Sequence, residues 1–293
     1  MACYREDLAH EALELGLKAE HADDLQRALH HYADAAIHGY GNTAVVAKAL
    51  TRQAGVYRRL SEWDIAADYA RRARDLADGA HLPELHAEAL VAQGNALMCS
   101  GRLEEAAVVY HRLVRVATDD RQRGIAMQNL GSIHAQKREF GLAAEAFDRS
   151  RYLFRAAGYA RGEVIALNNL GRLAHDQGDL VEAETLLREA LAGAREVADA
   201  ELAALALINL AQVRVARGVL TEARPMATEA FGHFSVSENR WRQIECLCVL
   251  ADIAAGEGEA EQATVHLRRA RDLARAIGAQ VELKRIEARL AER

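Results

Sequence analysis

Apolar and small residues recur along this chain in steps of three and four, the spacing that lines one face of an α-helix. The pattern itself then repeats about every forty residues. "MQNLGSIHAQKREFGLAAEAF" from Met127, "LNNLGRLAHDQGDLVEAETLL" from Leu167 and "LINLAQVRVARGVLTEARPMA" from Leu207 align without a gap. Each reads as one amphipathic helix, a turn and the start of a second helix. The small residues that anchor the pattern are Gly16, Ala54, Gly94, Gly131, Gly171, Ala211 and Ala251, separated by 38, 40, 37, 40, 40 and 40 residues. Periods of this length belong to stacked helical units, none of which can bury its apolar face alone.

Counting the small residue as position 8, Ala183, Leu187 and Ala190 fall on positions 20, 24 and 27 of the repeat around Gly171. Ala106, Tyr110 and Leu113 do so around Gly94, and Ala28, Tyr32 and Ala35 around Gly16. Position 15 is Gly101, Gly178, Gly218 and Gly258 in four repeats. Asp23, Ser61 and Arg138 replace it in the others, where the turn is less firmly specified.

This pattern resembles the tetratricopeptide repeat family, over almost the whole chain. The resemblance implies an all-α, right-handed superhelical α-solenoid of about seven helix-turn-helix hairpins plus a C-terminal capping helix. The hairpins are expected near 9–40, 47–80, 87–118, 124–157, 164–197, 204–235 and 244–277, with the cap at 279–292, all as one solenoid over 1–293. In the cap, Leu283, Ile286 and Leu290 share one stripe. Pro83 is placed at a helix start, where its missing N–H costs nothing, and Pro225 near another, whose first turn it would distort. The long spacing is similar to that of kinesin light chains and of the sensor regions of bacterial transcription regulators.

At 100° per residue, positions 4, 7, 8 and 11 of each first helix cluster on one side, facing the core. Positions 2, 6, 9 and 13 lie opposite, on the concave surface where the family binds partners. Position 6 carries Asn129, Asn169 and Asn209 in repeats four to six, and position 2 carries Ile125, Ile165 and Leu205. An amide offers a donor and an acceptor together, as an extended peptide backbone requires, and the aliphatic row offers a resting place for apolar side chains. Asn168, at position 5, points sideways toward a neighbouring repeat as a packing amide. A ladder of contacts to a peptide and a family habit of bonding amides to one another both remain open.

Arg172 and Gln212 complete the expected partner-binding set. Arg172 stands with His175 and Asp176 in a mixed constellation, and pairing of Arg172 with Asp176, four residues on, is the alternative role. At the other end, Lys48, Arg52 and Arg59 form a basic cluster. It resembles half of the carboxylate clamp of chaperone-binding family members, but Leu13, Glu14 and Leu17 stand where polar partners are required. A solvated surface, or one paired with Glu14 and Glu88, is the competing reading.

Composition narrows the function. The chain is 51% hydrophobic and 27% charged, with 5% aromatics and two prolines, which favours helices over sheet. A formal charge of −6 argues against direct nucleic-acid binding. Thirty-three of the 37 basic residues are arginine, which with abundant alanine suggests a GC-rich bacterial gene. No apolar run of eighteen residues or secretory leader is evident, which points to a cytoplasmic protein without a membrane partner. Cys3, Cys99, Cys246 and Cys248 form no metal-ligand spacing, and no phosphate loop, HExxH or nucleophile elbow occurs. The expectation is a non-enzyme without cofactors or metal that recognises a protein or peptide segment. It would be a free-standing adaptor, the peptide- or ligand-sensing module of a bacterial regulator, or a scaffold that self-assembles as a homo-oligomer.

Overall fold

The computed structural model describes residues 2–292, and side chains from residue 5 onward. Among the described residues the chain is fifteen α-helices joined by short turns, with no strand. It divides into two compact units, Met1–Ala157 and Gly158–Arg293. The first holds α1 (Ala2–His21), α2 (Leu25–His38), α3 (Thr43–Arg59), α4 (Trp63–Gly79), α5 (Pro83–Cys99), α6 (Leu103–Val116), α7 (Asp120–Gln136) and α8 (Phe140–Ala156). The second holds α9 (Ala160–Gln177), α10 (Leu180–Glu196), α11 (Ala200–Ala216), α12 (Leu220–Val236), α13 (Arg240–Gly256), α14 (Ala260–Ala276) and α15 (Gln280–Ala291).

Each unit is a stack of helical hairpins, the all-α repeat architecture that the forty-residue period predicts. Every helix packs on its sequence neighbours within the unit. The odd-numbered helices also touch the next odd-numbered one: α1 with α3, α3 with α5 and α5 with α7 in the first unit, α9 with α11 and α11 with α13 in the second. The first helices of the hairpins therefore form one continuous layer in each unit, and the second helices the layer behind it.

The small residue at position 8 lets the two helices of a hairpin approach. A Cβ on Gly94 would sit 2.5 Å from Tyr110 Cζ, one on Gly131 2.6 Å from Phe147 Cδ1, and one on Gly171 2.6 Å from Leu187 Cγ. The ring or branched side chain at position 24 fills the space the glycine leaves. At Ala54 and Ala211 position 8 is alanine and position 24 shrinks to Ala70 and Ala227, all four buried, while Ala251 faces a buried Leu267. Tyr110, Phe147, Phe154 and Phe234 are wholly buried; an aromatic side chain removes about 150–250 Å² from water, worth on the order of 4–6 kcal/mol before entropy is counted.

The position-15 turns are uniform despite their varied residues. Gly101, Gly178, Gly218 and Gly258 have φ of 76°, 84°, 75° and 83°, and Asp23, Ser61 and Arg138 adopt 59°, 63° and 60°. The turns that specified themselves least in sequence are as left-handed as the rest, because packing of the hairpins sets the backbone there.

Helices α3, α5, α7, α9, α11 and α13 begin four residues before the expected hairpins. In α3, α7, α11 and α13 the reason is capping: the side chains of Asn42, Asp119, Asp199 and Asn239 accept from the backbone N–H groups of Val45, Gln122, Leu202 and Arg242, holding an extra turn that the apolar pattern does not mark, whereas α5 and α9 start as early without a side-chain cap. Pro83 opens α5 as expected. Pro225 lies inside α12, not in its first turn, and the helix runs through it. The ladder bond it forfeits belongs to the carbonyl of Thr221, an exposed residue that water reaches. In α15, Ile286 is buried with Ile244, Leu247 and Ala251 of α13, and Leu283 and Leu290 pack beside it.

Candidate functional site

In the second unit the exposed side of the first-helix layer is built by α9, α11 and α13. Ile165 and Leu205 are half-buried, resting on the same cluster of Val164, Ala194 and Leu202. They form adjacent apolar steps at position 2. Asn169, one turn on from Ile165, is half-buried, and its amide makes no side-chain hydrogen bond among the described residues.

Asn209 departs from the expected row of open amides. It is 5% exposed, and its Nδ2 donates to Asn168 Oδ1 at 2.9 Å. Asn168 thus reaches sideways into the next repeat, as its place at position 5 suggests, and spends the amide of Asn209. In the first unit Asn129 is half-buried and donates from Nδ2 to the Ile125 carbonyl of its own helix at 2.9 Å. Ile125 is itself half-buried. The three asparagines share a repeat position but not a hydrogen-bonding state: Asn169 is free at both ends, Asn129 at its oxygen, and Asn209 is enclosed.

In the second unit position 9 faces solvent more fully than position 6. Arg172 and Asp252 are exposed, Gln212 is half-buried, and all three line a cavity of about 500 Å³. Its wall continues through His175 of α9, Val215 of α11, Trp241, Ile244, Glu245 and Cys248 of α13, and Glu282, Arg285, Ile286 and Arg289 of α15. Gln212 Nε2 donates to Glu245 Oε1 at 3.4 Å, and Arg242 Nη1 to Glu245 Oε2 at 2.8 Å. Arg289 pairs with Asp252. The Arg172–Asp176 ion pair, the alternative role for Arg172, does not form; His175 Nδ1 stands 3.7 Å from Asp176 Oδ1 instead. Burial pushes the Cys248 thiol up, with Asp252 and Glu245 adding to this and Arg289 and Arg285 opposing it. Cys246, on the far side of α13, is wholly buried and pushed up to about 12, first by that burial.

The sequence pattern singled out Arg172 and Gln212 but missed the α13 and α15 walls. Trp241 and Arg242 precede the apolar pattern, in the extra first turn of α13, and α15 was read as a cover for the core. In the first unit Lys48 and Arg52 are exposed. Arg59 does not join them: it bonds Asp23 at 2.5 Å and the Glu20 carbonyl at 3.3 Å, bracing the α1–α2 turn. No group of His, Cys, Asp and Glu able to hold a metal occurs among the described residues, and none of their helices is long and apolar enough to cross a membrane.

Profiles described as tetratricopeptide repeat match residues 89–124, 122–196 and 162–235. No curated protein matches the chain in sequence. Among solved structures, the Rap conjugation gene regulator of plasmid pLS20, in complex with the Phr* peptide, is similar at 17% identity. The match covers 94% of this chain and 77% of that one, with a TM-score of 0.72. The apo quorum sensor NprR from B. thuringiensis is 17% identical over 88% of this chain and 74% of its own, TM-score 0.69. Aspartyl phosphate phosphatase F from Bacillus subtilis is 11% identical over 91% and 70%, TM-score 0.72. At such identities the likeness is one of fold.

Proposed function

The chain belongs to the tetratricopeptide repeat family, and from that premise we propose that it is a non-catalytic recognition module that holds an extended peptide segment against the first helices of its repeats. The observation that carries this reading is the juxtaposition on α9 and α11: Asn169, with donor and acceptor both unspent, beside the apolar steps Ile165 and Leu205 and the polar ends of Arg172 and Gln212. Backbone amides of an extended chain require paired donors and acceptors, and side chains alternating along it require apolar rests. Neighbouring helices about 8–10 Å apart meet a strand rising about 3.3 Å per residue, so each helix engages roughly every third residue. Ile125 and Asn129 carry the same chemistry at the same repeat positions in the first unit and belong to the same proposal, as do Lys48 and Arg52, exposed cations at those positions of another repeat, and Asn209 through its bond to Asn168. The setting proposed is the cytoplasm of a bacterium.

The likeness to a Rap regulator in complex with a peptide, and to a quorum sensor, supports the more specific reading that the chain is the peptide-sensing module of a bacterial regulator. A peptide array probed with the intact chain tests both. Binders are expected to weaken at least tenfold when Asn169 is replaced by Ala, and less with Asn129→Ala. An array with binders unaffected by Asn129→Ala, Asn169→Ala and Asn209→Ala together overturns the groove reading.

A further inference from the structure

The cavity of the second unit holds four guanidiniums against three carboxylates: Arg172, Arg242, Arg285 and Arg289 against Glu245, Asp252 and Glu282. Arg242 is engaged by Glu245 at 2.8 Å, and Arg289 by Asp252. Among the described residues Arg172 and Arg285 make no ion pair, and both are exposed into the cavity that they line from different elements. One comes from the repeat layer and the other from α15. The apolar part of the lining is Val215, the almost wholly buried Ile244 and Ile286, and Trp241, which is 47% exposed.

A volume of about 500 Å³ lies in the range of sites that take small ligands, roughly 300–1,000 Å³. It suits a few residues of a chain rather than a folded partner. A guanidinium presents a planar fork of donors that matches a carboxylate in two parallel hydrogen bonds. Two uncommitted forks outnumber the one uncommitted carboxylate, Glu282, and with Val215 and the exposed indole of Trp241 in the same lining they are complementary to a carboxylate attached to an apolar residue.

We propose that this cavity is a binding pocket for a carboxylate carried by a peptide segment, held between Arg172 of α9 and Arg285 of α15, with the adjoining apolar side chain set against Trp241 and Val215. It rests on the reading of the first-helix layer as a peptide surface. It makes α15 half of a ligand site as well as the cover of the last hairpin. The carboxylate has two sources, the C-terminus of the peptide or an acidic side chain within it.

The test uses the full chain with Trp63→Phe, which leaves Trp241 as the one tryptophan. Its fluorescence is followed against a positional library of acetylated hexapeptides, each made as the free acid and as the C-terminal amide, with glutamate or glutamine at each position in turn. Members carrying the carboxylate are expected to bind at least tenfold tighter than their neutral counterparts. A preference for acid over amide assigns the terminus, and a preference for glutamate over glutamine the side chain. Arg172→Gln and Arg285→Gln should each abolish that preference with far-UV circular dichroism and melting unchanged, while Arg195→Gln, exposed on α10 outside the cavity, keeps it. Peptides that bind equally in charged and neutral form overturn the pocket and leave the peptide surface standing. A preference lost with Arg172→Gln alone overturns the part given to α15. A library without a single binder overturns both readings.

Discussion

Asn209 and Asn168 lie 41 residues apart in sequence and are joined by a 2.9 Å hydrogen bond from Nδ2 of the first to Oδ1 of the second. The bond ties α11 to α9 directly, within the layer of first helices. Its two ends differ in environment, since Asn209 is 5% exposed and Asn168 half-buried. Mutation should expose that asymmetry. Asn168→Ala leaves the buried amide of Asn209 without its acceptor, a loss of about 1–3 kcal/mol. Asn209→Ala leaves an amide that water can still reach, and should cost less. The double variant should be no less stable than Asn168→Ala, a coupling that urea denaturation of the four proteins measures. Equal losses from the two single variants would show that the bond is not buried.

The glycine at position 8 and the ring at position 24 make a second pair whose coupling is measurable. Gly94→Ala places a Cβ 2.5 Å from Tyr110 Cζ. The ring is wholly buried, its hydroxyl donates to Asn95 Oδ1 at 2.7 Å, and it has no room to retreat. Overpacking of this kind costs about 1–3 kcal/mol, more than the roughly 1 kcal/mol that alanine gains over glycine in a helix. Tyr110→Ala is costly by itself, about 3–5 kcal/mol by analogy with other aromatic truncations. On that background Gly94→Ala should turn neutral or stabilising, because the pair then matches Ala54 with Ala70. A Gly94→Ala variant as stable as the parent would dissolve the argument that this glycine is there for the tyrosine.

How much of this was legible beforehand depends on the range of the interaction. The forty-residue period, the hairpins and the pairing of small with large residues are set by periodicity and volume within one repeat, and so stood in the sequence. The extra first turns of α3, α7, α11 and α13 were signalled by Asn42, Asp119, Asp199 and Asn239, but outside the apolar pattern that defined the repeats. What lies between repeats was not legible. Position 6 was read from one helix in isolation as open, and the lateral reach of Asn168 closes it at Asn209. Arg59 shares a face with Lys48 and Arg52 by helical geometry, yet its long side chain is drawn to Asp23. The cavity wall from α15 depends on how a terminal helix lies against its neighbours, for which no repeat spacing exists.

Turn residues offer a stabilising substitution. Ala198 joins α10 to α11 with φ of 53°, a region that costs an L-residue roughly 1–2 kcal/mol. It is exposed, and the same kind of turn is served by Gly158 and Gly278 at φ of 62° and 68°. Ala198→Gly relieves that strain but enlarges the freedom of the unfolded chain, which returns about 0.4–1 kcal/mol. The expected net gain is on the order of 0.5–1 kcal/mol, read as a higher urea midpoint with an unchanged slope. A loss of stability would mean that the alanine methyl does more in the turn than its exposure implies.

Two buried imidazoles give the fold a pH dependence whose sign is fixed by their surroundings. His86 is 6% exposed and His266 8%, and each has a ring nitrogen enclosed without a hydrogen-bond partner among the described residues. Both are held below the ordinary imidazole value, first by burial. Arg112 and Arg74 lower His86 further while Asp78 and Asp75 oppose them; Arg269 and Arg224 lower His266 while Glu259 opposes. The unfolded chain takes up these protons near the ordinary value of about 6.5, and the folded chain only at lower pH. In that window the unfolded state binds more protons, so the contribution to stability is full above about pH 7 and is lost as pH falls through about 6.5 toward the folded values. Urea midpoints should therefore decline from about pH 7.5 to 5.5. The double variant His86→Gln, His266→Gln, which has no proton to take up at either place, should show a shallower decline. Parallel profiles for the parent and the double variant would mean that the acid sensitivity arises elsewhere in the chain.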